Sequence, residues 1–234
     1  MQETLAGGRG PVLDGSMWAV VTTGSGGYDR LSYRRVPIPV PGPGEVLLSV
    51  RAAGVNATDV NTRLGWYARS VTGGVDAAAA DAERADGGWN GATPFPLIQG
   101  ADCCGRVAAA GPGVERGLIG ARVLARSCMR VAGFERMETA WLGTDFDGAF
   151  AQFVKVPAGE VFPVACDWSD AALAAIPCAY GTAENMIRRA GVGPGERVLV
   201  PGASGGVGSA LVQLLARRGA EVIAVAAGAK RAAI

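Results

Sequence analysis

Up to about residue 168 the chain consists of short apolar runs broken by turn formers. From about Ser169 its apolar residues recur at a helical spacing. Segments 17–22 (MWAVVT) and 31–37 (LSYRRVP) read as strands, parted by the turn Gly24-Ser25-Gly26-Gly27. Prolines at 37, 39, 41 and 43 keep the next stretch out of a helix, because each fixes φ and lacks an N–H. Segment 45–53 (EVLLSVRAA) is the strongest strand, with Ser49 and Arg51 turned outward. Positions 56–63 predict a short helical turn with Thr58 as its cap. Segments 104–110, 122–125 and 148–156 are strand-like again, separated by turns such as Gly111-Pro112-Gly113. Residues 68–94 break the pattern, being small, acidic and bounded by glycine. They predict a solvated surface insertion with one frayed helical turn at 77–84, the other reading being a substrate lid.

Beyond Ser169, segments 170–176 and 183–189 read as helices. Pro194-Gly195 is a turn, 196–200 a buried strand, 207–218 a helix and 221–226 a second strand. The last three form a βαβ unit. The expected fold is α+β and α/β combined: an all-β barrel or sandwich over 1–168, then an α/β region over 169–234.

Composition narrows the chemistry. Hydrophobic residues make up 49% and charged residues 18% of the 234, a globular balance. The net charge of +1 gives no field to draw nucleic acid or an acidic membrane. No run reaches the roughly 18 apolar residues of a membrane helix, and MQETLAGGRG has no apolar signal core, so a cytoplasmic location is expected. Histidine is absent, which removes Ser-His-Asp and Cys-His nucleophiles and His-ligated metals. Five cysteines without a C-x-x-C argue against a disulfide framework, and each is expected to be a small buried hydrophobe.

The richest segment is VLVPGASGGVGSALVQLLARRGAEVIAV. An apolar strand runs into glycines, a helix starts on them, and a second strand follows, as in a dinucleotide site. The candidate cofactor contacts are Ala203, Ser204, Gly205, Gly206, Val207 and Gly208, with Ala203 at the first glycine position. Gly205 lets backbone approach a pyrophosphate, Gly208 lets helix pack on strand, and the helix N-terminus offers free N–H groups. An NAD site places an acidic residue after the second strand. This chain reads Ala226-Ala227-Gly228-Ala229-Lys230-Arg231 there, so the 2′-phosphate of NADP is the expected ligand of Lys230 or Arg231. A solvated helix start is the bland alternative.

Taken together, PGPGEVLLSVRAAGVNATDVNTRLGWY, FPLIQGADCCGRVAAAGPGV, DGAFAQFVKVPA and IPCAYGTAENMIRRAGVGPGERVLVPGASGGVGSA resemble the medium-chain dehydrogenase/reductase superfamily. The zinc-free quinone-oxidoreductase-like branch is the nearest part of it. The resemblance implies a GroES-like substrate domain over 1–168 and a Rossmann domain beginning at 169. At the superfamily's catalytic zinc positions stand Asn56, Ala101 and Cys178, the first two of which do not ligate, so no metal is expected. The region 126–146 holds Cys128 alone where a structural zinc lobe needs four cysteines. The resemblance makes Asn56 the candidate to orient a substrate carbonyl and Tyr67 the candidate hydroxyl, unless Tyr67 simply packs beside Trp66. Asp59 matches the superfamily's T-D pair, in a catalytic role or as a cap or turn. Thr182 matches its threonine beside the nicotinamide, or caps a helix, and Tyr180 contacts cofactor or packs.

These residues imply an NADP(H)-dependent oxidoreductase passing hydride to a quinone or an α,β-unsaturated carbonyl, dimeric when complete. The alternatives are a non-catalytic remnant and a zinc-type alcohol dehydrogenase. A doubly wound sheet uses about six strands, and the resemblance also implies a segment returning to the substrate domain. The chain therefore reads as a fragment or truncated product, with weak or no activity alone.

Overall fold

A computed structural model describes residues 15–73, 90–133, 135–228 and 230. The chain divides into two compact units, Met1–Ala174 and Ala175–Ile234. Most of the insertion, its expected helical turn at 77–84 and Arg231 lie outside the described residues. No helix among the described residues is long and apolar enough to cross a membrane.

The first unit is built on strands. β1 (Ser16–Thr22) lies between β2 (Leu31–Pro37) and β4 (Leu97–Ile98), antiparallel to both. β3 (Glu45–Ala52), β5 (Cys103–Ala110), β6 (Arg122–Ala125), β9 (Phe153–Pro157) and β10 (Val161–Pro163) form a second sheet in the order β10-β6-β5-β3-β9. A small hairpin joins β7 (Cys128–Met129) to β8 (Ala140–Trp141). Strand β3 is central and buries Val46, Leu47 and Leu48 in succession, which is why EVLLSV reads as a nearly unbroken apolar run. The edge strand β9 alternates instead, as Val154 and Val156 go inward while Lys155 faces water. Val46, Leu48, Val107, Val123, Met129, Leu142, Val154 and Val156 make the main core. Each such side chain, once fully buried, contributes about 1.5–3 kcal/mol.

Helix α1 (Ala57–Arg63) follows β3, and α2 (Asp170–Ala174) packs beside β3 and β5. Two expectations need correction here. The cap of α1 is Asn56, not Thr58, because Asp59 stands three residues after Asn56 and closes a capping box with it. The strand expected over 148–156 begins only at Phe153. Before it, the N–H groups of Gly148, Ala149 and Phe150 bond the carbonyls of Ile98, Gly100 and Gln99 at 2.6, 2.9 and 2.8 Å. Gly100 has φ +109°, and a Cβ there would stand 2.7 Å from Phe150 N, so the chain turns at a position only glycine can hold.

In the second unit, helix α3 (Pro177–Ala190) leads to β11 (Arg197–Pro201), α4 (Gly206–Arg217) and β12 (Glu221–Val225). Helix α3 starts six residues earlier than the sequence suggested, with Pro177 in its first turn. Thr182 therefore lies inside the helix and caps nothing. β11 and β12 pair in parallel, Val198 opposite Val222. Ile187, Val200, Ala203 and Leu215 form the core of this unit. Leu199, Ile223 and Val225 remain exposed on the strands.

Candidate functional site

The site residues of the first unit gather where α1 meets the loop after β4. Asp59 is buried and takes three backbone donors. Its Oδ2 accepts from Asn56 N at 2.8 Å, and its Oδ1 accepts from Gly100 N and Ala101 N at 3.2 Å each. Gln99 Nε2 donates to the Asp59 carbonyl at 2.8 Å, and Thr22 Oγ1 donates to Gln99 Oε1 at 2.9 Å. The loop carrying Gly100, Ala101 and Asp102 is thus stitched to the helix that begins at Asn56. Of the two roles expected of Asp59, the structure puts it in the capping one. Burial pushes its carboxyl up to about 6, and the charge of Asp102 pushes the same way, while the N–H groups of Asn56, Ala101 and Gly100 pull it back.

Asn56 is half-buried, and its Nδ2 donates to Asp102 Oδ2 at 2.8 Å. Asp102 is itself 1% exposed, and its Oδ1 accepts from Ser127 Oγ at 3.1 Å. Tyr67 donates its hydroxyl to Thr58 Oγ1 at 3.2 Å and meets Trp66 edge to face, ring centres 5.5 Å apart. The aromatic packing expected of Tyr67 therefore occurs. Sequence spacing gave no sign of Ser127, Gln99 or Thr22. Each reaches the site from a distant strand or loop, with no local motif of its own.

The donor set does not suit a metal. Among the described residues no three Cys, Asp or Glu side chains stand close enough to hold one. Cys103 and Cys104 are buried, and burial pushes their thiols up to about 12 and about 11, so neither offers a ready thiolate. Cys166 departs from the buried-hydrophobe expectation. It is exposed, with Arg122 Nη2 3.7 Å from its Sγ.

In the second unit the glycine turn is compact. Gly205 N donates to Gly202 O at 2.9 Å, and Ala203 N donates to Val225 O at 3.0 Å, tying the turn to β12. Ala203 and Gly208 are buried, Ser204 and Val207 half-buried, Gly205 and Gly206 exposed. Helix α4 begins at Gly206, and the amides of a first helical turn have no partner within the helix. Such a helix start suits a pyrophosphate and fits a dinucleotide. Lys230 is exposed beyond β12. Tyr180 donates its hydroxyl to Gln213 Oε1 at 3.0 Å, an internal bond between α3 and α4.

Comparison with known proteins agrees with this geometry. The chain is 30% identical over 230 residues to the acryloyl-coenzyme A reductase of Metallosphaera sedula, an alignment that covers 93% of the chain and 61% of that protein. A provisionally assigned alcohol dehydrogenase from Sinorhizobium meliloti 1021 superposes with a TM-score of 0.79 at 41% identity, over 93% of this chain and 59% of that one. The CurK enoyl reductase superposes with a TM-score of 0.70 at 25% identity, over 92% and 56%. The chain therefore spans about three fifths of the length of these relatives. The sequence profile of the alcohol dehydrogenase GroES-like domain matches residues 42–166, more than half of the chain. With sequence profile, relatives and fold in agreement, the chain belongs to the alcohol dehydrogenase GroES-like family, within the medium-chain dehydrogenase/reductase superfamily.

Proposed function

We propose that this chain carries the substrate domain and the first part of the cofactor domain of an NADP(H)-dependent reductase. Its substrate class is an α,β-unsaturated carbonyl compound or a quinone, and it needs no metal. One observation carries this reading: the Asn56 amide is bonded to Asp102, at a position where metal-dependent members of the superfamily place a ligating thiolate, and Ala101 stands where they place an imidazole. The relatives named for acryloyl-coenzyme A and enoyl reduction point to the same class.

Bound NADPH would supply the hydride. Ala203, Ser204, Gly205, Gly206, Val207 and Gly208 would hold its pyrophosphate, Lys230 and Arg231 its 2′-phosphate, and Thr182 would lie toward its nicotinamide. Asn56 offers an N–H to the substrate oxygen, where negative charge builds as the double bond is reduced. The Tyr67 hydroxyl, on turning its proton from Thr58 to the substrate, is the second donor and the source of a proton. On this reading the complete enzyme is a homodimer.

The test is NADPH oxidation with a panel of enones and quinones, using the chain and a version extended downstream in its gene. Turnover that survives removal of all metal by chelation, and falls on the order of 100-fold in Asn56→Ala, is expected. Cofactor binding without turnover in either form would instead assign a non-catalytic remnant. Zinc bound one to one, with loss of activity on chelation, would assign a zinc-type alcohol dehydrogenase.

Cofactor choice is a separate prediction. Replacing Lys230 with alanine removes a charged partner of the 2′-phosphate, a contact of about 1.5–3 kcal/mol. NADPH affinity in a fluorescence titration is expected to fall about tenfold or more, with NADH affinity unchanged. Tighter binding of NADH than of NADPH by the unaltered chain would sink the NADP assignment.

A further inference from the structure

We propose that Asp102 and Ser127 are positioning residues that fix which end of the Asn56 amide faces the substrate. The inference deepens the reductase reading and rests on it for the identity of the substrate.

An asparagine side chain has two ends of nearly equal shape, one a donor and one an acceptor. The capping box of α1 already turns the oxygen end of Asn56 toward the Asp59 N–H, and at the other end a carboxylate accepts only. Asp102 Oδ2 lies 2.8 Å from Asn56 Nδ2, so the reversed amide would set oxygen against oxygen in a buried place. Asp102 is held in turn. Its Oδ1 takes the Ser127 hydroxyl at 3.1 Å. On its other side the backbone passes close, since a Cβ on Gly54 would stand 2.9 Å from Asp102 Oδ2 and 2.6 Å from Ala174 O. Ser127 is anchored by its own carbonyl, which accepts from Leu142 N at 2.9 Å.

Asp102 and Ser127 are 1% and 3% exposed, so neither touches a substrate. Asn56 is half-exposed. One Nδ2 proton is spent on Asp102, and the second is left for a substrate oxygen, in a direction set by the first. The carboxylate two residues beyond Gly100 thus acts through Asn56. Without it the donor end of the amide loses its buried partner, and the capping box alone is left to hold the N–H toward the reacting carbonyl.

The experiment uses asparagine-selective 15N labelling of the chain. There are four asparagines, at 56, 61, 90 and 185, so four side-chain amide pairs appear, and Asn56→Asp identifies its own by deletion. The Asn56 pair is expected to have widely separated proton shifts and slow exchange with solvent. In Asp102→Ala the separation collapses to that of an exposed side chain and exchange speeds at least about tenfold. Ser127→Ala lies between the two, and Ser127→Thr, which keeps the hydroxyl, restores the parent spectrum. Where turnover is measured, Asp102→Ala lowers kcat on the order of 100-fold and leaves the KM for NADPH unchanged. An Asn56 pair that is exposed-like in the parent, or equally protected in Asp102→Ala, overturns the proposal. If the spectra behave as expected but no enone or quinone is reduced, the positioning stands and the reductase reading falls.

Discussion

Replacing Gly208 with alanine is expected to destabilise the second unit by roughly 3 kcal/mol and to abolish nucleotide binding. A Cβ on Gly208 would stand 2.2 Å from Gly202 O and 2.8 Å from Ala203 Cα. Both obstacles are backbone atoms, so no side-chain rotation relieves the contact. Helix α4 must lift from the turn, and the core formed by Val200, Ala203 and Leu215 opens with it. The Gly202–Gly205 turn that shapes the pyrophosphate cradle moves at the same time. Gly206→Ala is the control for stability. A Cβ there would meet only Ala179 Cβ at 3.8 Å, an ordinary contact, and alanine favours a helix by about 0.5–1 kcal/mol over glycine. Denaturant unfolding and NADPH titration of both variants are the measurements. Equal stability of Gly208→Ala and the parent would show that helix and strand do not meet as described.

This contrast shows what was legible in the sequence. Whatever the glycine turn needs lies within a few residues of it, so β11, α4 and β12 came out within one residue of their observed ends. The strand at 45–53 was equally plain, because an interior strand buries Val46, Leu47 and Leu48 in an unbroken apolar run. Local rules failed where two residues could play one part. Asn56 and Thr58 are both capable caps, and the deciding signal was Asp59, three residues after Asn56. Gly181 hid the first half of α3, since glycine lowers helix propensity, although Pro177 marked the true start. The two-residue strands β4, β7 and β8 owe their existence to partners elsewhere in the chain and carry no period of their own. The same holds for the site. Asn56, Ala101 and Tyr67 were readable by position, but the bonds that orient Asn56 cross to Asp102 and on to Ser127, and no spacing rule reaches so far.

Asp59 gives the stability of the chain an unusual dependence on pH. Its carboxyl titrates at about 6 in the folded protein, against 3.8 when unfolded. Between those values the folded state holds a proton that the unfolded state has lost, so stability falls as pH rises. The contribution is complete below about pH 4 and gone above about pH 6, and a shift of this size amounts to about 3 kcal/mol. Asp59→Asn isolates the effect, because the amide copies the neutral acid in shape and does not titrate. The variant has one oxygen for three backbone donors, which adds a constant cost of about 1–3 kcal/mol at every pH. The difference in unfolding free energy, parent minus variant, is therefore expected to shrink by about 3 kcal/mol from pH 3 to pH 7. A difference that stays flat or widens would mean that the three N–H donors outweigh burial and hold Asp59 ionised throughout. In that event the carboxylate capping α1 would be a permanent charge, and its repulsion would act on Asp102, the group that holds Asn56 in place.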